Sequence, residues 1–141
     1  MRRHPQMGAS LVGEIAWLRP ARALILAHHE RYDGAGYPQG LAGATIPLAA
    51  RIFTVADAFD ALTTDRPYHE ALSWEEAALK IKDGSGTQFD PDACVAFLRI
   101  PYHAWAHVAA GTGVTLRRGA PGAALDVRNA GGELANPGLA Q

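Results

Sequence analysis

Residues 47–63 restrict the possible folds more than any other stretch of this chain. Pro47 stands ahead of Leu48, Ile52, Val55, Phe59 and Leu62, which recur at spacings of four, three, four and three. An α-helix puts all five on one stripe, whereas the alternation of a strand would split them between two faces. The spacing therefore predicts a helix over Pro47–Thr63 with that stripe turned toward a core. Asp57 falls on the opposite side, with Ala50, Phe53, Thr54 and Ala61 around it. A carboxylate on so apolar a face calls for a metal ion or an arginine as counter-charge, unless it simply meets solvent on an alanine-rich surface.

The flanking segments extend the helical reading. Gln6–Leu18 places Leu11, Ile15 and Leu18 on one face, and Pro20 opens a second candidate helix, Pro20–Arg31. Asp33-Gly34-Ala35-Gly36-Tyr37-Pro38 carries turn chemistry that breaks it, and the loop runs to Ile46. Ser73 and Glu76 have the spacing of a capping box, so a helix is expected to start there and to end at Asp83-Gly84. Asp90-Pro91 starts a short helix through Leu98. No segment alternates convincingly with period two, and the expected fold class is all-α. From Gly111 to Gln141, 15 of 31 residues are Gly, Ala or Pro, a composition that predicts a flexible tail.

Charge and composition narrow the function classes. The 141 residues carry 13 Lys and Arg against 14 Asp and Glu, a net charge of −1. That balance offers no electrostatic basis for binding nucleic acid or an anionic membrane. Apolar runs such as Ala23 to Ala27 are far below the ~20 residues of a membrane span. Met1-Arg2-Arg3 leads into polar residues, unlike a secretion signal. The lone Cys94 excludes an internal disulfide and a cysteine-based zinc site. A cytoplasmic protein is expected.

The histidines carry the chemical hints. On a continuous helix His28 and His29 would point roughly 100° apart, a poor pair for one ion but a suitable one for two neighbouring ions. Together with Asp57 such a pair suits a two-metal centre, unless the two are ordinary core or surface histidines. His103 and His107 stand four apart, yet Ala104-Trp105-Ala106 between them lacks the glutamate of a metalloprotease motif, and no metal role is expected of them.

The stretch His28-His29-Glu30-Arg31-Tyr32-Asp33-Gly34-Ala35-Gly36-Tyr37-Pro38 closely resembles the signature of HD-GYP domains, bacterial metal-dependent phosphodiesterases of the HD superfamily. The resemblance continues through Ile46-Pro47-Leu48, Ala50-Arg51-Ile52, Val55-Ala56-Asp57-Ala58-Phe59-Asp60-Ala61-Leu62-Thr63, Asp65-Arg66-Pro67-Tyr68 and Gly84-Ser85-Gly86-Thr87-Gln88-Phe89-Asp90-Pro91. It covers residues 1–98 in the family's order, with 99–141 as an extension and tail.

The resemblance implies an HD-type helical bundle that hydrolyses cyclic di-GMP to the linear dinucleotide or GMP with two or three divalent ions, iron or manganese. By matched position, His4, His28, His29 and Asp57 are metal ligands, with His29 and Asp57 closest to the catalysis. Arg66 matches the residue that holds a substrate phosphate. His69 stands where the family usually has Lys or Arg, which implies a weaker contact at neutral pH. Tyr37 is expected beside the substrate, and the Gly36-Tyr37-Pro38 loop is the suggested dock for GGDEF-domain proteins. The family's His-Asp pair, a Glu/His ligand pair and a lysine precede the position of His4, three residues from the start of this sequence. The resemblance thus implies the C-terminal two-thirds of the domain, with impaired activity. The alternative it leaves is a non-catalytic binder of cyclic di-GMP or of a protein.

Overall fold

The computed structural model describes residues 4–68 and 70–119. Six α-helices follow one another: α1 His4–Glu14, α2 Arg22–Ala27, α3 Leu48–Thr63, α4 Trp74–Asp83, α5 Pro91–Arg99 and α6 Tyr102–Gly111. Among the described residues there is no strand, and Ser85 and Phe89 form an isolated bridge. The all-α class is observed.

Local chemistry accounts for several helix ends. Ser73 caps α4: its Oγ accepts from the Glu76 amide at 3.3 Å, and Glu76 Oε2 accepts from the Ser73 amide at 2.9 Å. Asp90 caps α5, its Oδ1 accepting from the Asp92 amide at 2.9 Å with Pro91 in the first turn. Arg51 of α3 pairs with the other oxygen of the buried Asp90, which ties the start of α5 to the middle of the molecule.

Two of the expected helices differ in extent. The first ends at Glu14, and Ala16–Ala21 forms a 3₁₀ helix containing Pro20. The second stops at Ala27, so His28 is a cap residue and His29 lies in a turn. The 100° argument drawn from a continuous helix therefore does not apply to that pair. The cause is non-local. Glu30 is buried, and its carboxylate accepts from the amides of Gln39 at 2.7 Å and Leu41 at 3.1 Å, which folds the chain back before another helical turn can form.

The main core joins the second half of α3 to the C-terminal helices. Phe59, Phe97 and Trp105 stand with ring centroids 5.0 to 5.1 Å apart, over fully buried Ala77, Ala78 and Ile81. Burial of such aromatics dominates core energetics, and each ring pair adds about 0.5–1.5 kcal/mol beyond its area. The stripe on α3 is only half used: Val55 and Phe59 are buried and Leu62 partly so, whereas Leu48 and Ile52 are exposed. On the other side of α3, Ala50 is buried against Ala27 and Ile46 in a second, smaller cluster.

The described structure continues past residue 98. Tyr102, Trp105 and Ala109 of α6 pack on the main core, and Leu116 beyond α6 is buried in it. The part of the expected tail that covers residues 120–141 lies outside the described residues.

Candidate metal centre

Two chain segments deliver the histidines, the start of α1 and the end of α2. Pro5 is buried at the start of α1, and Gly8 lies so close to α2 that a Cβ there would meet Ile25 Cγ2 at 3.1 Å. That close approach sets His4, the first residue of α1, beside the end of α2. His28 caps α2, and its Nδ1 lies 2.7 Å from Ile25 O. A carbonyl only accepts, so Nδ1 carries the proton and Nε2 presents its lone pair outward. Thr54 Oγ1 lies 3.1 Å from His28 O and 2.8 Å from Ala50 O, holding this corner to α3.

His29 completes the group. Its Nε2 is 2.9 Å from His4 Nε2, and its ring centroid is 4.0 Å from that of His28. One donor nitrogen from each of His4, His28 and His29 lies within 4.8 Å of the others. Such a set of borderline nitrogen donors fits a divalent transition ion. Burial first, then the nearby charges of His28 and His4, push the His29 imidazole below its ordinary value, while Asp57 opposes them. The direction of that shift favours the neutral ring, the form that binds a metal.

The structure brings the three histidines together and sets Asp57 apart from them. Asp57 is exposed on α3, outside the 4.8 Å group but near enough for its charge to act on His29. Tyr37 stacks on His29, with centroids 4.9 Å apart and an interplanar angle of 26°. Its amide also donates to His29 O at 3.2 Å. Gly36 is obligatory in that loop: a Cβ would lie 2.3 Å from Arg31 N and 2.6 Å from His29 O. Arg66, three residues beyond α3, is exposed and forms no ion pair among the described residues. His69 lies outside the described residues. His103 and His107 are exposed on α6 and belong to no such cluster.

The family model described as HD domain matches residues 1–93, the span that contains every candidate ligand. The chain belongs to the HD domain family. This HD domain is 46% identical over 101 residues to the cyclic di-GMP phosphodiesterase response regulator RpfG of Xanthomonas campestris pv. campestris (strain 8004), covering 70% of this chain and 27% of that protein. It is 40% identical over 107 residues to a cyclic di-GMP phosphodiesterase of Vibrio cholerae serotype O1, covering 71% of this chain and 22% of that one. The crystal structure of a cyclic GMP-AMP specific phosphodiesterase of V. cholerae superposes with a TM-score of 0.54 at 29% identity, over 64% of this chain and 20% of that chain. The chain thus spans about a quarter of the length of the curated relatives it matches. The HD-GYP resemblance agrees with these relatives.

Sequence reasoning left two supporting residues of this HD domain without a role, Glu30 and Thr54. Glu30 stands inside the quoted signature, where an acid flanked by two metal-ligand candidates and a Gly-rich turn was a usable signal. Nothing local marks Thr54, whose hydroxyl reaches the carbonyl of His28 at the end of α2 as well as that of Ala50 on its own helix.

Proposed function

We propose that this chain carries part of the centre of a metal-dependent phosphodiesterase of the HD-GYP type, with cyclic di-GMP as substrate and the linear dinucleotide or GMP as product. The observation that carries this reading is the convergence of His4 with the adjacent His28 and His29 of a second segment, with Asp57 in electrostatic reach. These four would hold divalent ions, two or three, with iron or manganese suited to the nitrogen and carboxylate donors. Bound ions supply Lewis-acid charge at a phosphoryl oxygen. The chain's own residues supply position. Ile25 O fixes the His28 tautomer, Tyr37 and its amide fix His29, and the exposed Arg66 offers a guanidinium fork to a phosphate. His69 would add a second, weaker contact to the substrate. The matched region does this work, and residues 99–141 form an extension to it. The exposed residues Gln39 and Gly40, next to Gly36-Tyr37-Pro38, suit a contact with GGDEF-domain proteins. A cytoplasmic location belongs to the same proposal; no helix among the described residues is long and apolar enough to cross a membrane.

Metal uptake and product analysis test the reading. The chain incubated with Mn²⁺ or Fe²⁺ should retain metal after gel filtration, and His28→Ala or His29→Ala should reduce retention at least tenfold, about the effect of losing a ligand or its support. Asp57→Asn should reduce it less, because the carboxylate stands outside the imidazole group. Cyclic di-GMP and 3′3′-cGAMP offered separately should give slow turnover with preference for the former. Failure to retain metal together with failure to bind either dinucleotide overturns the proposal. One observation favours a second reading, a binding module without turnover: the compact donor group contains imidazoles only. Affinity for cyclic di-GMP with no product after prolonged incubation decides for it.

A further inference from the structure

Arg66 sits on a loop whose two ends are joined by one guanidinium from beyond the family-matched region. Arg117 Nη2 lies 3.2 Å from Asp65 Oδ2, and its Nη1 lies 2.9 Å from Glu70 Oε1 and 3.4 Å from Ala71 O. Asp65 in turn accepts from the Ala71 amide at 2.8 Å, closing the loop on itself. The segment that carries Arg117 is held in register on both sides. Leu116 is buried in the main core and its carbonyl accepts from Tyr102 Oη at 3.0 Å. Arg117 O accepts from the Trp74 amide at 2.9 Å, and the Gly119 amide donates to Glu75 Oε2 at 2.6 Å.

We propose that Arg117 is a positioning residue for the substrate phosphate, acting through the 65–71 loop that presents Arg66. Two effects combine. The planar fork reaches an acid at each end of the loop at once, which a lysine ammonium cannot do with the same geometry. It also occupies the Asp65 carboxylate, which would otherwise be free to pair with the adjacent Arg66 and would repel an incoming phosphodiester. Each exposed ion pair by itself is weak. Their shared geometry restricts the loop before the ligand arrives, and such preorganisation is what favours binding. The inference rests on the reading of Arg66 given above.

A double-mutant cycle tests it, with cyclic di-GMP affinity measured by calorimetry on the full chain loaded with Mn²⁺. Arg117→Gln should weaken binding about fivefold, the range of a well-made exposed ion-pair network. In an Arg66→Ala background the same change should have less than about a twofold effect, since there is no guanidinium left to position. Arg117→Lys should recover part of the loss. Amide hydrogen exchange on the free protein gives a ligand-independent reading: Ala71 should exchange faster in Arg117→Gln, while Ile81 in the core stays protected. Unchanged affinity in Arg117→Gln, or an equal loss in both backgrounds, overturns the proposal while Arg66 keeps its role. Unchanged affinity in Arg66→Ala, or no binding by the parent chain, defeats the functional reading and this inference with it.

Discussion

From Val55 onward, α3 packs into a core of Phe59, Phe97, Trp105 and Ile81, whereas its first turns meet the rest of the protein chiefly through Ala50 against Ala27 and Ile46. The first region is held by large apolar side chains. The second is held by hydrogen bonds that run from a buried carboxylate to a distant loop, from Thr54 to the end of α2, and from the amide of Tyr37 to His29. Large side chains around it, Met7, Leu11, Trp17, Leu48 and Ile52, are exposed. The division teaches where precision comes from here. Apolar burial is non-directional and supplies stability, while the histidine end is shaped by directional bonds that fix ring and carbonyl orientations.

The strongest way to break this comparison is to truncate one large side chain in each region. Phe59→Ala should destabilise the protein by about 3–5 kcal/mol, read as a shift in the urea midpoint by circular dichroism. Leu11→Ala should change stability by no more than about 0.5 kcal/mol, because its side chain is already exposed. Comparable losses at the two sites would mean that the N-terminal region holds a core of its own. Glu30→Gln comes next in size. The amide keeps one acceptor oxygen and leaves either the Gln39 or the Leu41 amide unpaired, at about 1–3 kcal/mol. Its signature is local: exchange at Gln39 and Leu41 should accelerate and metal retention should fall, while the Phe59 cluster is undisturbed. Global loosening at the core would blur the line between the regions.

The same division explains what could be read in advance. Ser73 with Glu76, and Asp90 with Pro91, announce helix starts through groups only a few residues apart, and both starts are observed. The stripe on α3 identified which residues share a face. It could not tell how far along the helix the core extends, so Leu48 and Ile52 were expected inside. The end of α2 was illegible for a related reason: Glu30 finds its partners nine and eleven residues later, across a loop. His28, His29 and Asp57 were picked out by their placement along the helical pattern and by resemblance, His4 by resemblance alone. The gathering of three imidazoles in one group depends on the close contact at Gly8, which only the packing of α1 on α2 reveals.

The smaller predictions sharpen the contrast by probing directional bonds inside the apolar region, where they should matter only locally. Ser73→Ala removes the cap of α4 and should lower stability by about 1 kcal/mol. The Glu76 carboxyl makes the finest test. The hydrogen bond from the Ser73 side chain, then that from its backbone, hold it below the ordinary value of 4.5. Protonation removes the acceptor charge that Ser73 favours, so the contribution is present above the unfolded value and is lost as pH falls through the lower folded one. Glu76→Gln should therefore melt slightly below the parent chain at about pH 6, and the gap should close toward about pH 3. A gap that stays constant or widens on acidification would mean that the carboxylate is not what stabilises this cap. The local bond would then contribute through shape alone, as the apolar residues around it do.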